Sequence, residues 1–205
     1  MSDFLVVFCG FILLSLLLLI GGRLETYKFP FAPIQYSISV NNFEELKVQI
    51  EKELLNNYFK KETEKHYEDM GTVYGYTMKA FMQHKDFYLI NMNMQISKDD
   101  DKAIKKFERE ILATYTPFFR RASSANNIFI YCFDYISEDI VASITPGWSF
   151  YAGYRSTGMF DFPLFVSFYT KTAYSLNFNN ERPTMISHSW DKHFELISSV
   201  FEQKV

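Results

Sequence analysis

Cysteine and glycosylation signals are scarce in this sequence. Its 205 residues include two cysteines, Cys9 and Cys132, and no Asn-x-Ser/Thr sequon. Only Cys132 lies outside the apolar N-terminal stretch, so the rest of the chain cannot form an internal disulfide. The sequence therefore has neither of the features that are typical of a domain folded in an oxidising, secretory compartment.

Basic clusters and phosphate-binding motifs are missing as well. The net charge is −3 and no run of basic residues is longer than two. A nucleic-acid-binding domain usually carries a basic patch or stripe, so we expect no nucleic-acid partner. The sequence also lacks a P-loop, a G-x-G-x-x-G motif and a G-x-S-x-G motif, which excludes the enzyme classes that those motifs identify.

Four small groups of residues have side chains suited to chemistry, and each has a simpler structural interpretation. Three consecutive aspartates stabilise a helix N-terminus, and histidines five positions apart share neither a helix face nor a strand face. A cysteine inside an apolar strand is usually a small buried hydrophobe. We therefore predict no catalytic residue, metal or cofactor among these four groups: Asp99, Asp100 and Asp101; His188, Asp191 and His193; Glu62, Glu64 and His66; and Cys132.

A long apolar stretch near the N-terminus is the most distinctive feature that the sequence does contain. It has no charged side chain, and with Gly21 and Gly22 it reaches about 19 residues, or roughly 28 Å of helix. The hydrocarbon core of a bilayer is about 30 Å thick, so we predict a transmembrane anchor over residues 1–23. Its apolar residues are Phe4, Leu5, Val6, Val7, Phe8, Phe11, Ile12, Leu13, Leu14, Leu16, Leu17, Leu18, Leu19 and Ile20.

The alternative, a cleaved signal peptide, fits this stretch less well. The apolar run is longer than a signal core, and the residue before it is the acidic Asp3 rather than a basic one. Arg23 and Lys28 follow the stretch, and the positive-inside rule then places the rest of the chain on the cytoplasmic side, or on the matrix side of a mitochondrial membrane. We predict a retained, single-pass anchor.

After a tether at 24–33, which contains Pro30 and Pro33, the hydrophobic periodicity predicts one α+β domain over 34–205. The expected order is strand, helix, hairpin, helix, strand, which is the ferredoxin-like β-α-β-β-α-β arrangement with an antiparallel sheet. This core would cover 34–136, followed by an aromatic-rich β/α extension over 137–205. The predicted elements of the core are a strand at 34–40, a helix from an N-cap at Asn42 to about Lys65, a hairpin at 72–96 with its turn at 83–86, a helix from 101 to about 117, and a strand at 127–136 covered on both faces.

The segment 146–163 combines aromatic residues with three glycines. Trp, Tyr, Phe, Met and Arg are enriched where proteins bury surface against a partner. The pattern is compatible with contact to a partner protein, with contact to a membrane surface, or with ordinary strands joined by glycine turns. The candidate interface residues are Trp148, Phe150, Tyr151, Tyr154, Arg155, Met159, Phe160 and Phe162.

Three functions follow from these features. The first is a non-enzymatic accessory or scaffolding subunit of a larger membrane complex, because a single anchor and a short tether hold one domain close to a bilayer. The second is a tethered domain that binds a small or lipid-like ligand between its sheet and the C-terminal third, and the third is an enzyme of unknown class. The 22 Phe and 14 Tyr have AT-rich codons, which indicates an AT-rich genome, such as that of a mitochondrion, a protist nucleus or a low-GC bacterium.

Overall fold

The computed structural model describes residues 25–27, 33–62, 64–80, 83–115, 125–144, 150–152, 160–175 and 185–203. The predicted anchor lies outside these ranges, as does most of the predicted tether. Within them, no helix combines the length and the apolar character needed to cross a bilayer.

The described residues form a mixed α and β structure, in agreement with the predicted class. The N-terminal half contains β1 (Glu25–Tyr27), β2 (Ile34–Ile38), α1 (Phe43–Asn56), β3 (Lys60–Lys61), β4 (Lys65–Tyr67), β5 (Gly71–Ala80), β6 (Gln83–Met92) and α2 (Asp101–Tyr115). The C-terminal half contains β7 (Ala125–Phe133), α3 (Glu138–Ile144), β8 (Phe150–Ala152), β9 (Phe160–Ser167), β10 (Thr172–Ser175), α4 (Met185–Phe194), a 3₁₀ helix (Glu195–Val200) and β11 (Phe201–Gln203).

Nine strands form one mixed sheet in the order β11-β2-β10-β9-β7-β6-β5-β3, with β4 also paired to β5. The pairs β6–β7 and β7–β9 are parallel, and the other pairs are antiparallel. The predicted ferredoxin-like antiparallel sheet is therefore wrong. The helix between β6 and β7 returns the chain to the edge where β6 began, so the two strands run in the same direction. The C-terminal strands β9, β10 and β11 also join this sheet, and β2 pairs with β10 and β11.

Helices cover both faces of the sheet. On one face Phe43 of α1 contacts Tyr74 of β5, with 5.6 Å between ring centroids, and Trp190 of α4 contacts Phe162 of β9. On the other face the Tyr131 hydroxyl donates a 2.8 Å hydrogen bond to Glu108 of α2. The central strand β7 is consequently buried on both sides, which confirms the prediction for this strand.

Much of the aromatic excess lies in the core. Four rings form a row across β6, β7 and β9, with centroid separations from 4.9 to 6.2 Å. Each of these rings is buried, and offset stacking of this kind adds to the stability gained from their burial. The stacked residues are Tyr88, Phe129, Tyr131 and Phe165.

The start of α1 follows the predicted capping pattern. Asn42 is the N-cap, and its side-chain oxygen accepts a 3.0 Å hydrogen bond from the Glu45 amide. The Glu45 carboxylate in turn accepts from the Asn41 amide at 2.8 Å. The first bond satisfies an amide that the first helical turn leaves unpaired, and the second pairs the amide of the residue before the N-cap. The prediction for this helix start is confirmed.

The predicted end of α1 and the predicted hairpin turn are both wrong. The helix ends at Asn56, because Tyr58 adopts a positive φ of 66° and the Phe59 amide bonds back to the Leu54 carbonyl at 3.0 Å. In the hairpin, residues 83–86 continue strand β6, and Ala80 pairs with Gln83. The strands are thus joined by two residues rather than by a four-residue polar turn.

Candidate partner-binding surface

Two tyrosines form an exposed aromatic pair at one edge of the sheet. Tyr135 is 51% exposed and Tyr169 is 81% exposed. Their rings meet edge to face, with centroids 5.8 Å apart and planes at 82°. We call these two residues the tyrosine pair.

The strands of the sheet determine where the tyrosine pair lies. Tyr135 follows β7 and Tyr169 follows β9, and the carboxyl ends of these parallel neighbours meet at the same edge. Two backbone hydrogen bonds connect the segments, from the Phe168 amide to the Phe133 carbonyl at 3.1 Å and from the Tyr169 amide to the Asp134 carbonyl at 2.8 Å. The backbone that carries both rings is therefore fixed by the sheet.

Acidic residues predominate along the same edge. Helices α1, α2 and α3 all begin there, since each follows a strand that runs towards it. Each has two acidic residues in its first turn or directly before it. Lys171 is also at this edge, and its ammonium group donates to the Val40 carbonyl at 2.6 Å and to the Asn41 side chain at 2.7 Å. The acidic residues are Glu44, Glu45, Asp99, Asp100, Glu138 and Asp139, and Lys98 and Lys102 lie among them in sequence.

The opposite edge of the sheet connects to the N-terminal segment. Strands β2 and β9 both begin on that side. Strand β1 ends at Tyr27, seven residues before β2 begins at Ile34. It pairs with β8 in a separate two-stranded ladder. The ladder pairs Thr26 with Tyr151 and Tyr27 with Phe150. Part of the aromatic segment therefore lies beside the residues that follow the predicted anchor.

The structure divides the residues of the predicted interface. Phe162 is fully buried against Trp190 and His193, so this side chain is not available to a partner. Phe162 points to the face of the sheet that α4 covers, and every second residue of β9 points to the same face. The backbone of Phe150 and Tyr151 is in β8, and Phe160 begins β9. The remaining predicted residues, Trp148, Tyr154, Arg155 and Met159, lie outside the described ranges.

The groups considered for chemistry are separated or have structural roles. The Asp100 carboxylate accepts from the Ser97 amide at 2.7 Å and from the Ser97 hydroxyl at 2.8 Å. Exposed His66 lies 3.0 Å from the Thr72 hydroxyl. Asp191 is exposed, whereas His193 is buried against Phe162. In the part of the chain that the structure describes, no three His, Cys, Asp or Glu residues are grouped to hold a metal ion.

Cys132 is expected to be unreactive in the folded protein. It is fully buried in β7, and burial raises the pKa of its thiol well above the usual value. The thiolate is the reactive form, so at pH 8 labelling by iodoacetamide should require unfolding. We expect a chain with Cys9→Ser to be labelled at Cys132 at least about 100-fold faster in denaturant than in its absence. Equal labelling rates in the two conditions would contradict the buried position.

A small cavity lies beside β5 and β6. Its volume is about 10 Å³, which is room for about one water molecule, and the buried Thr77 hydroxyl has no hydrogen-bond partner among the residues that the structure describes. A lipid-like ligand would not fit there. Between the sheet and the C-terminal third, where a ligand pocket was considered, Trp190 stacks on Phe194 at 4.9 Å. The residues that line the cavity are Glu62, Gly75, Tyr76, Thr77, Asp86 and Tyr88.

Comparison of the chain with known protein families, with curated proteins and with solved structures gave no significant match.

Proposed function

We propose that this protein is a single-pass, membrane-anchored accessory or scaffolding subunit of a larger membrane protein complex. Residues 4–20 would form the anchor, and the α+β domain would lie on the cytoplasmic side, or on the matrix side of a mitochondrial membrane. In this proposal the protein has no catalytic role. The Asp100 side chain is bonded to Ser97 in the turn before α2 and the Cys132 thiol is buried, so both have structural roles that account for them.

The observation that carries the proposal is the position of the tyrosine pair. The chain reaches the sheet from the anchor at the edge where β2 begins, and the tyrosine pair lies at the opposite edge, next to the residues where β2 ends. An anchored domain in this orientation presents the pair away from the bilayer. A partner subunit that extends from the membrane could reach it there.

The tyrosine pair has the properties of a binding hot spot. Tyrosine is among the residues that contribute most to the free energy of association, because its ring buries a large area while few rotatable bonds are fixed. The backbone that carries the two rings is already held by the β7–β9 connection. Such preorganisation lowers the entropic cost of binding.

Substituting both tyrosines is expected to release the protein from its complex. In Tyr135→Ala with Tyr169→Ala, association should weaken by about 2 kcal/mol or more, which is roughly 30-fold. Both side chains are largely exposed, so the melting temperature should change little. The measurement is size-exclusion chromatography after mild detergent extraction of the native membrane, with thermal unfolding of the same chains.

Tyr58→Ala is the matched control. Tyr58 is 87% exposed at the end of α1 and belongs to a different part of the surface, so this variant should remain in the complex. A wild-type chain that elutes as a free monomer of 24.2 kDa plus detergent would contradict the proposed function. A double variant that stays in the complex as well as the wild type would show that the partner binds elsewhere.

A further inference from the structure

The two-stranded ladder of β1 and β8 provides a second interaction surface. We propose that this ladder lies within the headgroup layer of the lipid bilayer, beside the anchor, with lipid headgroups around both of its faces. The inference rests on the anchor of the proposed function, but it concerns a different surface from the tyrosine pair and a different partner, the lipid itself.

The first argument is the length of chain between the apolar stretch and the ladder. If the anchor helix ends at Gly22, Glu25 begins β1 three residues later. Three extended residues span at most about 11 Å, and the headgroup layer is about 5–7 Å thick on each side of the bilayer. Glu25 is therefore held in or just outside that layer.

The second argument is the register of the ladder. Glu25 pairs with Ala152, Thr26 with Tyr151 and Tyr27 with Phe150. Neighbouring strands lie about 5 Å apart, so β8 is held at nearly the same height above the bilayer as β1. The pairing brings residues that are more than 120 positions from the anchor in sequence to its immediate neighbourhood.

The third argument is the chemistry of the two strands. Tyrosine rings favour the membrane–water interface because one end is apolar and the other bears a hydroxyl. Arg23 and Lys28 flank β1 in sequence, and basic residues next to an anchor are attracted to anionic headgroups. A ladder of three residue pairs is also too short to be stable in water without a further contact, and the bilayer surface supplies one.

Lipid-dependent quenching of tryptophan fluorescence tests the inference in the full-length chain. Trp148→Phe with Trp190→Phe removes both native tryptophans. Into this background Tyr151→Trp places a reporter in β8, and Tyr169→Trp places one at the distal edge. In vesicles of phosphatidylcholine and phosphatidylserine with a spin label near the headgroup, the Tyr151→Trp chain should be quenched at least about twofold more strongly than the Tyr169→Trp chain.

Two further chains provide a second reporter in the ladder and a control in which the core tryptophan is intact. Tyr27→Trp in the same background reports from the paired strand β1 and should be quenched like Tyr151→Trp. The single substitution Trp148→Phe retains Trp190, which is 3% exposed in the core, and its emission should be quenched no more than that of the distal reporter if the fold is intact.

The outcomes separate the inference from the proposed function. If the chains sediment with the vesicles but the Tyr151→Trp and Tyr27→Trp reporters are quenched no more than Tyr169→Trp, the ladder does not lie on the bilayer, whereas the anchor stands. If the chains do not sediment with the vesicles, the anchor itself is wrong and the inference fails with it. Strong quenching of both ladder reporters together with weak quenching of the distal one supports the membrane contact.

Discussion

Replacing Gly71 with alanine is expected to lower the free energy of unfolding by about 3 kcal/mol or more, since strain and overpacking act together. Gly71 begins β5 with a φ of +140°, a conformation that residues with a side chain rarely adopt. A Cβ atom there would lie 2.0 Å from the Asn91 carbonyl oxygen and 2.9 Å from its carbon. Both are backbone atoms of β6, so relief requires the β5–β6 ladder to separate locally.

Thermal unfolding of the full-length protein in detergent, followed by circular dichroism, measures this effect. Thr72→Ala is the neighbouring control, because the Thr72 hydroxyl meets only the exposed His66 among the described hydrogen bonds. Its loss should cost about 1 kcal/mol or less. An alanine at position 71 that costs no more than this control would show that the backbone of the strand start differs from the described one.

The double substitution Leu14→Arg with Leu18→Arg is expected to move the whole protein from the membrane to the soluble fraction. A charged residue at the centre of a membrane helix costs roughly 2.5–3.5 kcal/mol, whereas each Leu or Ile contributes only a few tenths favourably. One arginine would nearly cancel the favourable total of this leucine-rich run, and two would reverse it. The measurement is the distribution of the chain between pellet and supernatant after alkaline carbonate washing.

Leu14→Ile with Leu18→Ile is the matched control and should remain in the pellet, because it preserves the apolar character of the stretch. The wild-type chain should stay in the membrane at its full length. If it were instead soluble and began near Gly22, the stretch would be a cleaved signal peptide. The domain would then lie on the other side of the membrane, and the proposed localisation would be wrong.

Local features of the fold could be predicted from the sequence because they depend on neighbouring residues. The Asn42 and Glu45 pair predicts the start of α1 from side chains three positions apart. The apolar run 128–133 predicts a strand covered on both faces, since residues of both parities are hydrophobic. Each of these patterns predicts its element from residues that are only a few positions apart.

The pairing of strands could not be predicted in the same way. A period of two indicates which side chains share a face but not which strand lies alongside, so β2 was assigned to the wrong neighbours. Likewise, Lys85 and Asp86 suggested a turn because they are charged, although Asp86 continues the alternation of Tyr88 and Ile90 and is buried in β6. Tertiary surroundings outweighed the polarity of these residues.

The tyrosine pair shows the same limitation. The sequence pattern places Tyr135 in the strand that precedes it, and Tyr169 is one aromatic residue among many. Their proximity arises only because β7 and β9 are parallel neighbours, which no local pattern reveals. The feature that both share is a position two residues after the end of a buried strand. The prediction of an interface at 146–163, by contrast, depends on residue composition alone.

The position of β2 in the sheet has a consequence for the biosynthesis of the protein. Ile34 pairs with Ser175, 141 residues later, and the other neighbour of β2 is the C-terminal strand β11. At a synthesis rate of about 5–20 residues per second, β2 waits roughly 7–28 seconds for its first partner to be made. The apolar stretch 4–20 precedes β2, so it leaves the ribosome long before that time. If it is an anchor, the chain is therefore inserted into the membrane while its domain is still unfolded, and the sheet closes on a chain already attached to the bilayer.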